Sequence, residues 1–518
     1  MSVSQSLKKS IKTLWKPQYA WAFFGTLIVG LISHLPAMTK NLPTYDTFWN
    51  IYSDQDMITS GRQFLTFACG GSSFYNLPWI NGLLALFFLG LTAVVLTELF
   101  DIKTPFFAAL AGAVLAAFPA TTGTFVFIYT VDGYMLALFL SCLSVLLADR
   151  FKFGFIPAVF LLGFSVGVYQ SYFSVAALLC VFLLIRRLIT KPGEWKGFFG
   201  KCWRYLLTGI AGYAFYVISL KIMLAVSGKT LSGYQGTDRV TSLSVGNLGA
   251  GIIQAYRDFK EFSLPSGVMG ENIFMKLSYT FFAALCLGML IYAIVKNRVY
   301  KKIGAMILLV VLFAIIPPVA SMICIMVPNV LFHVLMRFPW VLLFFFGLSF
   351  FADFPPVEGK WKKAGELRNI AGSLTLIVLI FNFILSANIV YFNLNERYEK
   401  TYALCVRIID RLEQTQGYRQ TDAVAILGGF PNATNYPSTE ITQLITAGYH
   451  STAGDYCVES SEKYAEFLKH YLNVSITVPP FEDQLNLSET KEFEEMPYFP
   501  EEGAIRNIHG VWVIKLNG

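Results

Sequence analysis

Residues 77–99 read LPWINGLLALFFLGLTAVVLTEL, with one charged side chain, Glu98, near the end. A bilayer core about 30 Å thick is crossed by a helix of roughly 20 mostly apolar residues, and Leu77–Leu99 meets that requirement. Ten more stretches share its character: Ala20–Met38, Pro105–Ala120, Gly133–Ala148, Gly154–Tyr172, Phe173–Leu188, Tyr205–Val226, Leu277–Val295, Ile303–Met326, Phe338–Ala352 and Ile370–Val390. Several of these are short, and short spans tilt, re-enter or thin the bilayer. The expected fold is a polytopic α-helical membrane protein of about eleven transmembrane helices, with a small α/β extracytoplasmic C-terminal domain.

Composition agrees. Charged residues make up 14% of the 518-residue chain, against about 25% in soluble domains. Between alternate spans lie Lys103, Arg150 and Lys152, six basic residues from Arg186 to Arg204, four from Lys296 to Lys302 and four from Lys360 to Arg368; Lys8, Lys9, Lys12 and Lys16 precede the first span. Lys and Arg gather on the cytoplasmic side. The N-terminus is therefore expected inside, the C-terminus outside, and the first span is expected to be a retained signal anchor rather than a cleaved peptide. The expected location is a membrane with its basic face toward the cytoplasm.

Two parts follow: a bundle over residues 1–390 with outer loops 39–76 and 227–276, and an outer domain over 391–518. From Tyr391 onward there are ten basic and eighteen acidic residues. The basic excess of the bundle is an inner-face anchor, with no interleaved aromatic stripe for nucleic acid. Ala423–Leu427 and Val511–Leu516 read as strands, and Tyr464–Tyr471 as a helix. In the second outer loop, Leu248, Ile252, Tyr256, Phe259 and Phe262 form one apolar face, which fits a helix in the headgroup plane or one packed on the bundle. Eight scattered cysteines without a CxxC pair suggest neither zinc nor redox chemistry; the outer pair Cys405 and Cys457 permits a disulfide.

The first outer loop concentrates charge: Asp46, Asp54, Asp56 and Arg62 among Tyr45, Phe48, Trp49 and Tyr52. In an extended segment, Asp54 and Asp56 share a face. Two such carboxylates bind a divalent cation, divide into a general base and its partner, or solvate a loop. Arg337 precedes the tenth span and Lys221 lies near the outer end of the seventh; an arginine fork suits phosphate, while both residues also suit interfacial anchoring. Tyr169 and Gln170 close the fifth span, where they line a cavity mouth or join a tyrosine belt. Asp132 faces outward, ahead of the following helix. No phosphate-binding glycine loop and no HExxH is present.

The pattern Tyr52-Ser53-Asp54-Gln55-Asp56, Gly61-Arg62, Ser72-Ser73, Leu77-Pro78-Trp79, Gly82, then Gly167-Val168-Tyr169-Gln170 and finally Met496-Pro497-Tyr498-Phe499-Pro500, Gly503 and Val513-Ile514-Lys515-Leu516 resembles a known family. It is similar to the bacterial O-antigen glucosyltransferases of serotype-converting type, within the GT-C class of polyprenyl-phosphate-sugar transferases. The resemblance implies a polyprenyl-phosphate-linked sugar donor, undecaprenyl-phosphate glucose, and a surface glycan acceptor outside the cytoplasm. Asp54 or Asp56 would be the base; Arg62, Arg337 and Lys221 would bind the donor phosphate; Asp46, Tyr169 and Gln170 would contact substrate. Many members are expected to carry adjacent acidic residues where this chain has Asp-Gln-Asp, which leaves the identity of the base open. No cofactor is required, although a DxD beside phosphate permits Mg²⁺ or Mn²⁺. The rival readings are a lipid-linked glycan flippase, which would place polar groups at the midplane, and a membrane scaffold for the outer domain.

Overall fold

A computed structural model describes residues 16–40, 42–233, 245–265, 267–326, 332–353, 362–438, 449, 452 and 454–517. The expected anchors Lys8, Lys9, Lys12 and Lys360 lie outside the described residues, as does part of the second outer loop. The chain divides into two compact units: residues 1–40 with 52–388, and residues 41–51 with 389–518.

The first unit is helical. In chain order it contains α1 (Pro17–Thr39), α2 (Leu65–Tyr75), α3 (Pro78–Leu99), α4 (Pro105–Ala117), α5 (Pro119–Phe125), α6 (Val131–Arg150), α7 (Phe155–Val168), α8 (Tyr172–Thr190) and α9 (Trp195–Ser227). There follow α10 (Val245–Ser263), α11 (Ile273–Lys296), α12 (Ile303–Ala314), α13 (Val341–Asp353) and the start of α14 (Lys362–Glu413). By length and composition α1, α3, α6, α8, α9, α11 and α14 are able to cross a membrane, and α4 with α5 makes an eighth if the pair is one bent span. The remaining expected stretches fall on shorter apolar helices, α7, α12 and residues 338–351.

Proline sets several of these boundaries. Pro78, Pro105 and Pro119 each stand in the first turn of a helix, where a missing N–H is harmless. Phe118, held extended before Pro119, bends α4 from α5 by 46°. The expected ninth span, Ile303–Met326, is not continuous: α12 ends at Ala314, and two short helices, Ile316–Ala320 and Met322–Met326, follow. Pro317 and Pro318 withhold the amide donors that would carry the helix through.

Small residues bring α1 against α4. A Cβ on Gly112 would fall 2.2 Å from the Ala22 carbonyl, and one on Gly25 would fall 2.6 Å from that of Ala109, the close backbone approach that helix pairs use in lipid. Buried His34 bonds the Ala116 carbonyl at 2.9 Å.

Charged residues tie one end of the bundle together. Lys16 pairs with Glu98 at 3.0 Å, Arg150 and Arg186 with Asp101 at 3.1 and 2.8 Å, and Lys201 with Asp149 at 2.7 Å. These are the segments whose basic residues the sequence assigns to one side.

The second unit has a mixed three-stranded sheet in the order β1-β3-β2, with β1 (Ala423–Leu427), β2 (Ile505–Ile508) and β3 (Val511–Lys515). β1 and β3 run parallel, with Ala423 opposite Val511; β2 and β3 run antiparallel. Side chains alternate along β1. Val424 and Ile426 enter a core with Phe48, Leu404, Ile408 and Phe467, while Ala425 and Leu427 pack with Leu487, Phe493 and Met496. Arg397 is fully buried, bonds the Tyr456 carbonyl through Nη2 at 2.7 Å and stacks on Tyr45. Cys405 and Cys457 are free buried thiols, so the disulfide is not formed; Cys457 Sγ lies 3.3 Å from Thr401 Oγ1.

Candidate active site

Within the first unit, residues 52–76 form a clamped turn followed by α2. The turn closes where the Arg62 amide donates to the Met57 carbonyl at 3.1 Å. Gly61 sits at its tip with φ +73°, a conformation that glycine adopts without strain. The Gln170 side-chain amide donates to the carbonyls of Ser60 and Gly61 at 3.0 and 2.9 Å, and the Tyr216 hydroxyl donates to Gly61 at 3.2 Å. Gln63 reaches the Tyr216 carbonyl and Ser219 Oγ at 3.2 and 3.1 Å. The Phe64 amide bonds the Gly167 carbonyl at 2.9 Å, and its ring stacks on Phe164. The Gly167–Gln170 segment therefore anchors the acidic loop.

The two carboxylates are presented by this frame. Gln55 is buried with φ +59°, while Asp54 and Asp56 are exposed on either side. The expected extended segment is thus a turn: Asp54 Oδ1 accepts the Asp56 amide at 3.2 Å, and Thr66 Oγ1 bonds the Gln55 carbonyl at 3.1 Å. Asp56 forms an ion pair with Lys229, and the Ser232 amide bonds the Thr59 carbonyl at 2.9 Å. The segment after α9 is therefore seated on the acidic loop. Lys229 is 173 residues from Asp56, and no periodicity in the sequence links the two.

Arg62 stands beside an aromatic pair. Its Nη1 donates to the Tyr134 hydroxyl at 3.1 Å, and its guanidinium lies 5.1 Å from the centre of the Tyr169 ring. Tyr134 and Tyr169 stack at 4.6 Å. Asp132, in the first turn of α6, is 2% exposed and accepts from Ser72 Oγ, while Ser73 Oγ donates to the Tyr129 carbonyl. The Ser72-Ser73 pair thereby pins α2 to the start of α6.

The other expected residues lie elsewhere. Arg337 is committed to Asp258, with Nη2 to Oδ1 at 2.5 Å, and stacks on Phe262 and Phe332. Burial raises the Asp258 carboxyl, with Arg337 and the Ser321 hydroxyl pulling it back. This pair also decides which face of α10 is covered. Gly251, Ala255, Asp258 and Phe262 are buried, whereas Ile252 and Tyr256, expected on the apolar face, are exposed. Lys221 is exposed on α9 and enters no ion pair among the described residues. Asp46 belongs to the second unit, where it heads the short helix Thr47–Asn50 and its carbonyl accepts from Asn50 at 2.7 Å. No group of three or more His, Cys, Asp or Glu gathers among the described residues, and Asp56 pairs with the Lys229 ammonium.

The model of a protein family, glucosyl transferase GtrII, matches residues 35–344, which include the whole acidic turn, Lys229 and Arg337. The chain belongs to that family, the serotype-converting O-antigen glucosyltransferases that the sequence resembles. No curated protein and no solved structure matches it.

Proposed function

We propose that the protein transfers glucose from a polyprenyl-phosphate carrier to a hydroxyl group of a surface glycan, on the outer side of a bacterial cytoplasmic membrane, in the manner of GT-C enzymes. The observation that carries this reading is the exposed Asp54–Asp56 turn, braced by Gln170 and Tyr216 with Lys229 paired to it.

Asp54 acts as the base. It is exposed, enters no ion pair among the described residues, and has one oxygen oriented by the Asp56 amide. As the acceptor oxygen bonds the anomeric carbon, its proton passes to Asp54. The bond from that carbon to the phosphate oxygen breaks, and polyprenyl phosphate departs with the electron pair. General-base assistance of this kind contributes about 10²–10⁴-fold. Charge grows on the departing phosphate, where preorganised cations stabilise it. Lys229 and Arg62 serve there; Arg337, already holding Asp258, acts in packing. Tyr169 backs Arg62, and Gln170 positions the turn rather than touching sugar.

The test is release of undecaprenyl phosphate from undecaprenyl-phosphate glucose by purified protein, with and without cell-envelope glycan. Glycan-dependent release that is lost in Asp54→Asn is expected. Unchanged release by that variant, correctly folded, would refute the assignment.

A further inference from the structure

At the basic end of the first unit, a cavity of about 520 Å³ opens among α6, α8, α9 and α11. Arg150, Arg186, Arg187, Lys191, Lys201 and Lys296 line it, against two carboxylates, Asp101 and Asp149. Those carboxylates are already engaged: Asp101 by Arg150 and Arg186, Asp149 by Lys201 and the Tyr205 hydroxyl. Among the described residues, Arg187 and Lys191 pair with Glu194 across the rim, at 3.1 and 3.8 Å. Basic residues thus outnumber acidic ones around the cavity.

A second cavity, of about 880 Å³ and almost wholly apolar, shares Leu184 and Tyr205 with the first. It runs along α8 and α9 past Ala176, Cys180, Gly209 and Tyr213 to Met322. A charged socket adjoining an apolar groove matches a molecule with an anionic head and a long apolar tail. Basic pockets between membrane helices bind such headgroups.

We propose that this paired cavity binds an anionic phospholipid of the surrounding bilayer, its phosphate among Arg187, Lys191 and Lys296 and one acyl chain along the α8–α9 groove. The charge complementarity of the socket selects the lipid, and the groove distinguishes it from a free anion. The charged socket is built at the end of α6 and α9 away from Tyr134 and Tyr216, whereas the groove reaches Tyr213, whose ring lies 5.6 Å from that of Tyr216.

The test is a thermal-shift titration of the full-length purified protein in detergent with five additives: phosphatidylglycerol, cardiolipin, phosphatidylcholine, undecaprenyl phosphate and inorganic phosphate. Two variants are compared with wild type. Lys191→Gln with Lys296→Gln removes two cations and spares the Asp101 and Asp149 networks. Gly209→Leu fills the groove: a Cβ there meets only Phe173, at 3.8 Å, and leucine favours helix over glycine.

Phosphatidylglycerol or cardiolipin is expected to stabilise wild type, and phosphatidylcholine is not. Each lost cation should weaken the apparent affinity about five-fold, as a basic residue near an anionic lipid surface contributes. Gly209→Leu should weaken it with the charges intact. An equal response to inorganic phosphate would overturn the groove, a response to undecaprenyl phosphate alone would overturn the phospholipid, and no response, or one unaltered by both variants, would overturn the site.

Discussion

The side-chain amide of Gln170 holds the carbonyl of Gly61 at 2.9 Å, linking the break between α7 and α8 to the acidic turn 109 residues earlier. Tyr216 completes the clamp from α9. Carboxylates on a loop act reproducibly only when that loop has one conformation, and this clamp supplies it.

Gln170→Leu should therefore keep the fold and lose transfer. Each hydrogen bond removed is worth about 0.5–1.5 kcal/mol, and loosening the turn should lower kcat by about ten-fold or more, since small misplacements are expensive in catalysis. Gly61→Ala should be worse. A Cβ there would lie 2.8 Å from both Gln170 Nε2 and the Tyr216 hydroxyl, at φ +73°. Steady-state kinetics of the two variants, with circular dichroism to confirm folding, checks this ranking.

The two acidic residues should separate. Asp54→Asn should reduce turnover by about 10²–10⁴-fold with little change in donor KM. Asp56→Asn frees Lys229 from its ion pair and should lower turnover less. Lys229→Met should raise donor KM and lower kcat together. If Asp56→Asn proves the more damaging, the base is Asp56 and the roles reverse.

How far the site could be read from sequence depends on where its parts lie along the chain. Asp54, Asp56 and Arg62 stand within nine residues, and local crowding of charge among aromatics was enough to find them. Lys229 was not legible, because its pairing with Asp56 is a tertiary contact between segments with no shared period. On α10, hydrophobicity marked Ile252 and Tyr256 on one apolar face, which the structure leaves exposed, but it did not reveal that the buried face carries Asp258, held by Arg337 and Ser321. Seven of the expected stretches were legible as helices long and apolar enough to cross a membrane, because a run of about twenty apolar residues has that reach, whereas the interruption after α12 turned on two prolines inside an otherwise apolar run. In the second unit β1 was readable from its apolar run, Ala423–Leu427; its parallel pairing with β3 was not.

The Arg337–Asp258 pair gives a direct test of packing against phosphate binding. Arg337→Met alone leaves a buried carboxylate uncompensated and should destabilise the protein by about 3–5 kcal/mol, read as a lower melting temperature in detergent. Adding Asp258→Asn should restore much of the stability and, with it, transfer. A double variant that is stable yet inactive would show that Arg337 meets the donor.

Glu271 should give the stability of the bundle a pH dependence. Burial raises its carboxyl from 4.5 to about 7, against a hydrogen bond from Ser386 at 2.5 Å that favours the ionised form. The folded protein thus binds this proton more tightly than the unfolded chain does. The stability it contributes is full below about pH 4.5 and declines as pH rises, being lost once pH passes about 7. Melting temperature should accordingly fall between pH 5.5 and pH 8, an interval of roughly two and a half units around the raised value. Glu271→Gln resembles the protonated acid and cannot ionise, so it should flatten that profile and be the more stable form at pH 8. A wild-type profile no steeper than that of Glu271→Gln would mean that the carboxyl ionises in the fold as readily as in water.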